Sequence, residues 1–149
     1  MTRKFLRVAK IGGSLFDFAE LPTALRSWFD GQPGVNVLIA GGGPFADAVR
    51  QADTTFGIDD TTSHRLAITA MQISAELIGA LLPESPVLHS LTDVVEHLPS
   101  NGVVVLNPSM LLKQPECRLP HSWDVTSDSI AAYIASEFAA DELVLFKST

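Results

Sequence analysis

Short apolar runs alternate along the chain with longer segments that carry apolar residues every three or four positions. The apolar runs predict five strands, at residues 5–11, 35–40, 86–89, 103–106 and 143–146. The periodic segments predict five helices, at residues 19–29, 44–56, 61–82, 92–98 and 127–138. A regular alternation of strand and helix is typical of α/β proteins.

The predicted strands have a composition that suits a sheet covered on both faces. Runs such as "VNVLIA" and "GVVVL" do not alternate polar with apolar residues, as a strand with one wet face would. The fold class that we predict is therefore α/β, a three-layer αβα sandwich around a mainly parallel sheet. In such folds ligands bind at the carboxyl ends of the strands.

Glycine clusters follow the first two predicted strands. Gly12 and Gly13 lie in "KIGGSL", and residues 41–43 open "GGGPFADAVR", where Pro44 fits a first helical position. Glycines let backbone N–H groups approach a ligand, and helix amino termini favour anions. Tight turns alone also explain either cluster, but two clusters in equivalent places favour an anion site. The P-loop pattern G-x-x-x-x-G-K-[ST] is absent.

Short polar side chains crowd the start of the last predicted helix, in "WDVTSDSIAAYIASEF". Thr126 or Ser127 fits the helix cap, and Asp128 lies where a carboxylate meets the positive end of the helix dipole. Capping explains one or two of these residues and leaves the rest of the cluster for a functional role.

Composition narrows the classes of protein. A chain of 149 residues, 46% of them hydrophobic, suits one domain over residues 1–149. The formal net charge of -7 argues against nucleic-acid binding, which needs a basic face. No apolar run is long enough to cross a membrane, and the lone Cys117 with no signal peptide indicates the cytoplasm.

Metal-binding residues do not form a recognisable pattern. No pair among the four histidines and Cys117 has a spacing typical of a zinc site, so we predict no structural metal.

Four motifs in order, "KIGGSL", "IAGGGPFAD", "WDVTSDSIAAYIA" and "ELVLFKST", resemble those of the amino acid kinase family, over residues 4–149. The resemblance implies the carbamate kinase-like fold. Within the family, "WDVTSDS" with "SHRLAITAM" is most similar to the archaeal-type branch that phosphorylates an aminomethylfuran phosphate.

The resemblance implies a role for Lys10. Without it, Lys10 would be interpreted as a lysine at a strand end whose side chain extends to water. In the family this lysine contacts the phosphoryl group during transfer, and Gly12, Gly13 and Ser14 supply donors around it. Fixed donors and an ammonium stabilise the charge that develops on the phosphoryl oxygens.

Three further assignments follow from the same resemblance. Asp128 would hold Lys10 and a second lysine in position, and Lys147 would lie beside the nucleotide phosphates. The acceptor site would be formed by residues that follow the second strand or precede the last helix: Gly41, Gly42, Gly43, Asp47 and Thr126. His64 begins a helix that the family places beside the acceptor.

The resemblance implies a kinase that uses ATP and Mg²⁺ to phosphorylate a carboxylate, phosphate or hydroxyl of a small anionic metabolite. Family members continue past the last strand, and that part supplies most of the nucleotide pocket. This sequence stops at Thr149, so we expect a natural short form, a chain completed by another subunit, or a relative that has lost ATP. The rival hypothesis is a non-catalytic domain that binds small anions. Family members commonly dimerise, and we expect a homodimer.

Overall fold

The computed structural model describes residues 4–96, 102–115, 117–120 and 126–148. Within them the strands are β1 (Leu6–Ile11), β2 (Val35–Ala40), β3 (Val87–Leu88), β4 (Gly102–Leu106) and β5 (Glu142–Phe146). The α-helices are α1 (Leu21–Phe29), α2 (Gly43–Phe56), α3 (Asp60–Leu81), α4 (Leu91–Glu96), α5 (Ser109–Leu112) and α6 (Ser127–Glu137). A 3-10 helix (Gly13–Asp17) lies between β1 and α1.

The strands form one parallel sheet in the order β3-β4-β2-β1-β5. The interior strand β1 pairs with both β2 and β5, so that Lys10 lies opposite Ile39 on one side and Leu145 on the other. Because all the strands run the same way, the turns after β1, β2 and β5 meet at one edge of the sheet. The predicted parallel α/β sheet is confirmed.

Helices cover both faces of the sheet. Side chains alternate along β1, so that Val8 packs into one core with Ile134 of α6, whereas Ala9 packs into the other with Leu25 of α1. Both strands at the centre are buried almost along their whole length. The predicted three-layer arrangement is therefore observed, and the uniformly apolar strands follow from it.

The two longest helices, α2 and α3, pack against each other, and only three residues separate them along the chain. The side chain of Asp59 caps α3 by accepting from the backbone N–H of Thr62, at 3.0 Å. Helix α2 packs mainly on α3 and on the 3-10 helix rather than on the sheet. This pair of helices forms one wall of the space above the strand ends.

The structure departs from the predicted elements mainly at short segments. The sequence pattern missed the 3-10 helix and α5, because five and four residues are too few to show a helical period. The strand predicted at residues 86–89 contains only Val87–Leu88. The helix predicted at residues 92–98 is observed as Leu91–Glu96, and its last two residues lie outside the described residues. Other boundaries move by one or two residues.

Among the described residues, no helix has the length and hydrophobicity needed to cross a membrane.

Candidate functional site

Lys10 is a charged residue near the end of the interior strand β1, and it is only 4% exposed. Its ammonium Nζ donates to Oδ1 of Asp128 at 2.8 Å. A buried ammonium needs such a partner, because an unpaired charge in the interior carries a large desolvation penalty. Lys10 is therefore held in the protein and does not extend into water.

Asp128 lies in the first turn of α6 and joins two cations. Its other oxygen, Oδ2, accepts from Nζ of Lys147 at 2.6 Å, just beyond the end of β5. Hydrogen bonding from Lys10 and then from Lys147 lowers the pKa of the Asp128 carboxyl below its ordinary value. The carboxylate is consequently ionised at neutral pH and lies between two ammonium groups, one buried and one exposed.

The turns after the strands approach one another so closely that a side chain would not fit. The backbone N–H of Gly12 donates to the carbonyl of Phe146 at 2.8 Å. A Cβ on Gly13 would lie 2.8 Å from the Cα of Gly43, in the turn after β2. These glycines are therefore required by packing of backbone on backbone, whatever they contact in a ligand.

Gly41 lies beside the lysine. A Cβ there would meet Cε of Lys10 at 3.2 Å and Oγ of Ser127 at 3.1 Å. The turn after β2 thus approaches both the Lys10 side chain and the amino terminus of α6. In the 3-10 helix, the hydroxyl of Ser14 lies 2.6 Å from that of Ser148, which follows Lys147.

A cavity of about 410 Å³ opens beside these turns. The glycine turns and the start of α6 contribute Gly13, Ser14, Gly42, Gly43 and Ser127. Apolar side chains of α3 and α6 contribute Ile68, Met71 and Ile130. Charged and polar side chains line the rest of the cavity: Asp17, Asp47, Arg50, Asp60, Ser63 and His64. A cavity of this size with mixed lining suits a small metabolite.

The structure brings most of the predicted site residues to this edge of the sheet. Asp47 lines the cavity and pairs with Arg50, whose Nη1 donates to its Oδ1 at 3.0 Å. Thr126 instead caps α6, accepting from the backbone N–H of Ser129 at 3.2 Å, and it is not among the residues that line the cavity. Its assignment to the acceptor site has no support from this geometry.

The sequence analysis did not predict most of the α3 residues that line the cavity. Ser63 and Ala67 line the cavity at i, i+4, with Met71 one further turn along. Ser63 itself could have indicated this wall, because a hydroxyl on the buried face of a helix needs a hydrogen-bond partner. Arg50 and Asp60 carried no signal of their own, since single charged residues on helices are common on protein surfaces.

Within the described ranges, no group of three or more histidine, cysteine or acidic residues could hold a metal ion. His97 and His121 lie outside those ranges, as do Trp123 and Asp124 of the "WDVTSDS" motif.

The fold and the converging turns agree with the comparison to known families. The model of the amino acid kinase family matches residues 6–149, and the chain belongs to that family. It is 32% identical over 141 residues to the [5-(aminomethyl)furan-3-yl]methyl phosphate kinase of Methanocaldococcus jannaschii, a match that covers 94% of this chain and 64% of the relative. The family predicted from the motifs is confirmed, and this relative is of the predicted branch.

Solved structures show the same fold at low identity. The uridylate kinase of Archaeoglobus fulgidus matches with a TM-score of 0.65 and 21% identity, over 99% of this chain and 64% of that one. The UMP kinase of Bacillus anthracis matches with a TM-score of 0.71 and 16% identity, over 99% and 66%. The chain thus spans slightly less than two thirds of the length of these proteins and of the archaeal relative.

Proposed function

We propose that the chain contains the phosphoryl-transfer and acceptor sites of a small-molecule kinase. The reaction would move the γ-phosphoryl group of ATP to a small anionic metabolite. The observation that carries this proposal is the carboxylate of Asp128, which aligns Lys10 and Lys147 at the strand ends. Among carboxylate, phosphate and hydroxyl acceptors we favour a phosphate monoester, because the archaeal relative is by its name a kinase of one.

Lys10 is the group best placed to stabilise the transferring phosphoryl group. It is buried, tied to Asp128, and packed beside the glycine turn at Gly41. A fixed ammonium in a partly dry site stabilises developing negative charge without reorganising during the reaction. Asp128 is a positioning residue in this scheme, because it contacts the two lysines and orients them.

The cavity would hold the acceptor. Gly42 and Gly43 line it at the amino terminus of α2, where free backbone N–H groups and the helix dipole favour an anion. Because Ser127 also lines the cavity and lies close to Gly41, an anion here would be near Lys10. The acceptor and the phosphoryl group would then meet at the glycine turns.

The residues around Lys147 would bind the phosphates of ATP. Lys147 and the hydroxyls of Ser14 and Ser148 are exposed donors next to the Gly12–Gly13 turn. ATP would supply the phosphoryl group, and Mg²⁺ bound to it would neutralise part of the phosphate charge. Lys147 would bind a phosphate oxygen, while Gly12 and Gly13 keep side chains away from the path between donor and acceptor.

Phosphoryl transfer by the purified chain tests this proposal. With Mg-ATP and a panel of phosphate monoesters, we expect ADP and a diphosphate product by phosphorus NMR. Lys10→Ala should lower turnover by about two to three orders of magnitude. Because Lys10 is buried, urea unfolding checks that the variant is folded under the assay conditions. Lys113→Ala, which removes an exposed lysine at the end of α5, is the matched control.

Two results would contradict the proposal. Normal turnover in Lys10→Ala would remove this residue from the mechanism. Thermal stabilisation by small phosphate esters, without any binding of Mg-ATP, would instead indicate a non-catalytic anion-binding domain.

A further inference from the structure

The turn after β2 begins α2 without a capping side chain. Gly42 is the N-cap residue of α2, and Gly42 and Gly43 line the acceptor cavity. At the starts of α3 and α6, by contrast, the side chains of Asp59 and Thr126 accept a backbone N–H. The first N–H groups of a helix have no intrahelical acceptor, so those of α2 need one from outside the helix.

Sterics exclude a capping side chain at this position. A Cβ on Gly42 would overlap the Cβ of Ala46, one turn further along α2. Gly43 follows with a φ of +54°, in the left-handed region that favours glycine. The backbone of this turn must therefore be oriented by groups that lie outside it.

Ser74 of α3 supplies such a group. Its side chain is completely buried, and its hydroxyl donates to the carbonyl oxygen of Gly42 at 3.3 Å. The same hydroxyl lies 3.1 Å from the carbonyl oxygen of Ala70, one turn earlier in α3. Because Ser74 and Gly42 are 32 positions apart in the sequence, the hydroxyl links α3 to the turn after β2.

Local hydrogen bonding explains this serine only in part. The hydroxyls of Thr54, Thr55 and Thr69 also donate to the carbonyl four residues earlier, and these bonds stay within their own helices. The bond from Ser74 to Gly42 is different, because it forms only where α3 packs against the start of α2. A serine that merely satisfied itself within α3 would not need this second acceptor.

The carbonyl of Gly42 determines where the next N–H points. A peptide group is planar, and in its trans form the C=O and the N–H point in opposite directions. The hydroxyl of Ser74 and the backbone N–H of Ala46, at 3.1 Å, both donate to this carbonyl. Together they fix the direction of the Gly43 N–H, which belongs to the same peptide group.

We propose that Ser74 is a positioning residue of the acceptor site, which acts through the Gly42 carbonyl to aim the N–H of Gly43 at the acceptor anion. Ser74 does not line the cavity and is completely buried, so it acts without touching the ligand. A donor that is held in place beforehand loses little freedom when the acceptor binds. This inference rests on the proposed function, because it concerns the same acceptor site.

Steady-state kinetics of Ser74→Ala test the assignment, with a phosphate monoester that the wild type phosphorylates. The KM for this ester should rise about three- to tenfold, because the Gly43 N–H is no longer held. Since this N–H binds the acceptor equally before and during transfer, kcat should stay within about twofold of the wild type, and so should the KM for ATP. Lys10→Ala should show the opposite pattern, a fall in kcat.

Two variants separate the hydrogen bond from other effects of the substitution. Ser74→Cys fills nearly the same volume but offers only a weak donor, so its KM should rise as in Ser74→Ala. Thr55→Ala is the matched control, because it removes a hydroxyl of α2 that donates to the carbonyl of Gln51, and its KM should equal that of the wild type. Urea unfolding checks that each variant is folded; Gly42 keeps the Ala46 N–H as a partner in all of them.

The amide resonance of Gly43 gives a readout that does not depend on turnover. In proton–nitrogen correlation spectra, ethyl phosphate should shift this resonance in the wild type. Ser74→Ala should displace the resonance in the empty protein and need about three- to tenfold more ethyl phosphate for the same response. The amide of Gly102, at the start of β4 and the opposite edge of the sheet, should stay unchanged.

The outcomes distinguish this inference from the proposed function. Phosphoryl transfer with the wild-type KM in Ser74→Ala or in Ser74→Cys overturns the inference and leaves the proposed function standing. A Gly43 resonance that does not move in Ser74→Ala also overturns the inference, as does unfolding of both Ser74 variants, which would assign the residue to stability. If no ester shifts the Gly43 resonance and none is phosphorylated by the wild type, both proposals are contradicted.

Discussion

Asp128 illustrates how one side chain can satisfy a structural and a functional explanation at once. It lies in the first turn of α6, where the helix dipole favours a carboxylate. The cap itself is Thr126, however, and both carboxylate oxygens of Asp128 are bound by lysines. The contacts of Asp128 are therefore with the site, and its dipole interaction is secondary.

Asp128→Asn tests this assignment. The amide retains one acceptor oxygen but leaves two ammonium groups without a counter-charge, so inorganic phosphate should bind the empty protein more tightly than it binds the wild type. Any phosphoryl transfer should fall, because Lys10 and Lys147 lose their alignment. We expect a loss of about 1–2 kcal/mol in the free energy of unfolding, because Lys10 is buried.

Calorimetry with phosphate and urea unfolding measure both effects. Glu137→Gln, which neutralises an exposed carboxylate at the other end of α6, is the matched control and should change neither. Unaltered phosphate affinity together with unaltered activity in Asp128→Asn would show that Asp128 only meets the helix dipole.

Gly13→Ala tests the close approach of the two glycine turns. The added Cβ would lie 2.8 Å from the Cα and 3.0 Å from the N of Gly43, and backbone atoms cannot rotate away as a side chain can. The turns after β1 and β2 must separate, which should cost about 1–3 kcal/mol of stability and weaken ligand binding. Ser14→Ala, one residue later, should keep wild-type stability in the same urea titration, and equal stability of the two variants would contradict the close approach.

Arg26 and Glu84 connect two elements on the far side of the molecule. Arg26 is in the last turn of α1, and its Nε and Nη2 donate to the two oxygens of Glu84 at 2.7 and 3.1 Å. Nη2 also donates to the carbonyl of Leu81, the last residue of α3, at 2.9 Å. One guanidinium thus satisfies a carbonyl at the end of α3 and holds the segment that leads to β3.

This ion pair predicts a dependence of stability on pH. The hydrogen bond from Arg26 lowers the pKa of Glu84 from its ordinary value of 4.5 to about 2. A carboxyl whose pKa is lowered by folding stabilises the protein fully above its unfolded value, and this contribution is lost as the pH falls through the folded value. Glu84 should therefore cease to contribute as the pH falls from 4.5 towards about 2.

Urea midpoints measured across this range, for the wild type, Glu84→Gln, Arg26→Gln and the double variant, check the prediction. The single and double variants should share the same shallower loss of stability on acidification, because each lacks the pair. A wild type and Glu84→Gln that lose stability in parallel would contradict it.

At the scale of the whole molecule, apolar surface remains exposed on two elements. Ile73 and Leu77 are one turn apart on α3 and are 44% and 36% exposed. In the sheet, β5 pairs with β1 and lies at the edge of the described strands, with Leu145 39% exposed. An exposed apolar helix stripe and an edge strand are both surfaces through which chains associate.

We therefore predict that the chain forms a homodimer and that α3 provides the contact. Light scattering at micromolar concentration should give twice the monomer mass, and Ile73→Lys should shift it to the monomer by placing a charge in an apolar contact. Leu145→Lys is the alternative variant, and it should leave the dimer intact. A wild-type monomer would contradict the prediction, and dissociation by Leu145→Lys alone would move the contact to the sheet edge.

The sequence by itself determined the elements that depend on local pattern. Uninterrupted apolar runs predicted β1 and β2 because a strand covered on both faces has no polar positions, and periodicity predicted α2, α3 and α6. The glycine clusters marked the turns where these elements meet. The ordered motifs pointed to the family, and through it to Lys10, Asp128 and Lys147 as one group.

Only the tertiary structure decided how distant residues meet. The Lys10–Asp128 contact joins residues 118 positions apart, and it depends on the strand order β3-β4-β2-β1-β5, which no local pattern encodes. The same holds for the cavity wall, which residues of α2, α3 and the 3-10 helix line together. Thr126 caps α6 and is not among the residues that line the cavity, so its assignment to the acceptor site stays a prediction. Periodicity indicates which side of a helix or strand is buried. A site depends on which buried sides face one another, and the packing of the whole chain decides this.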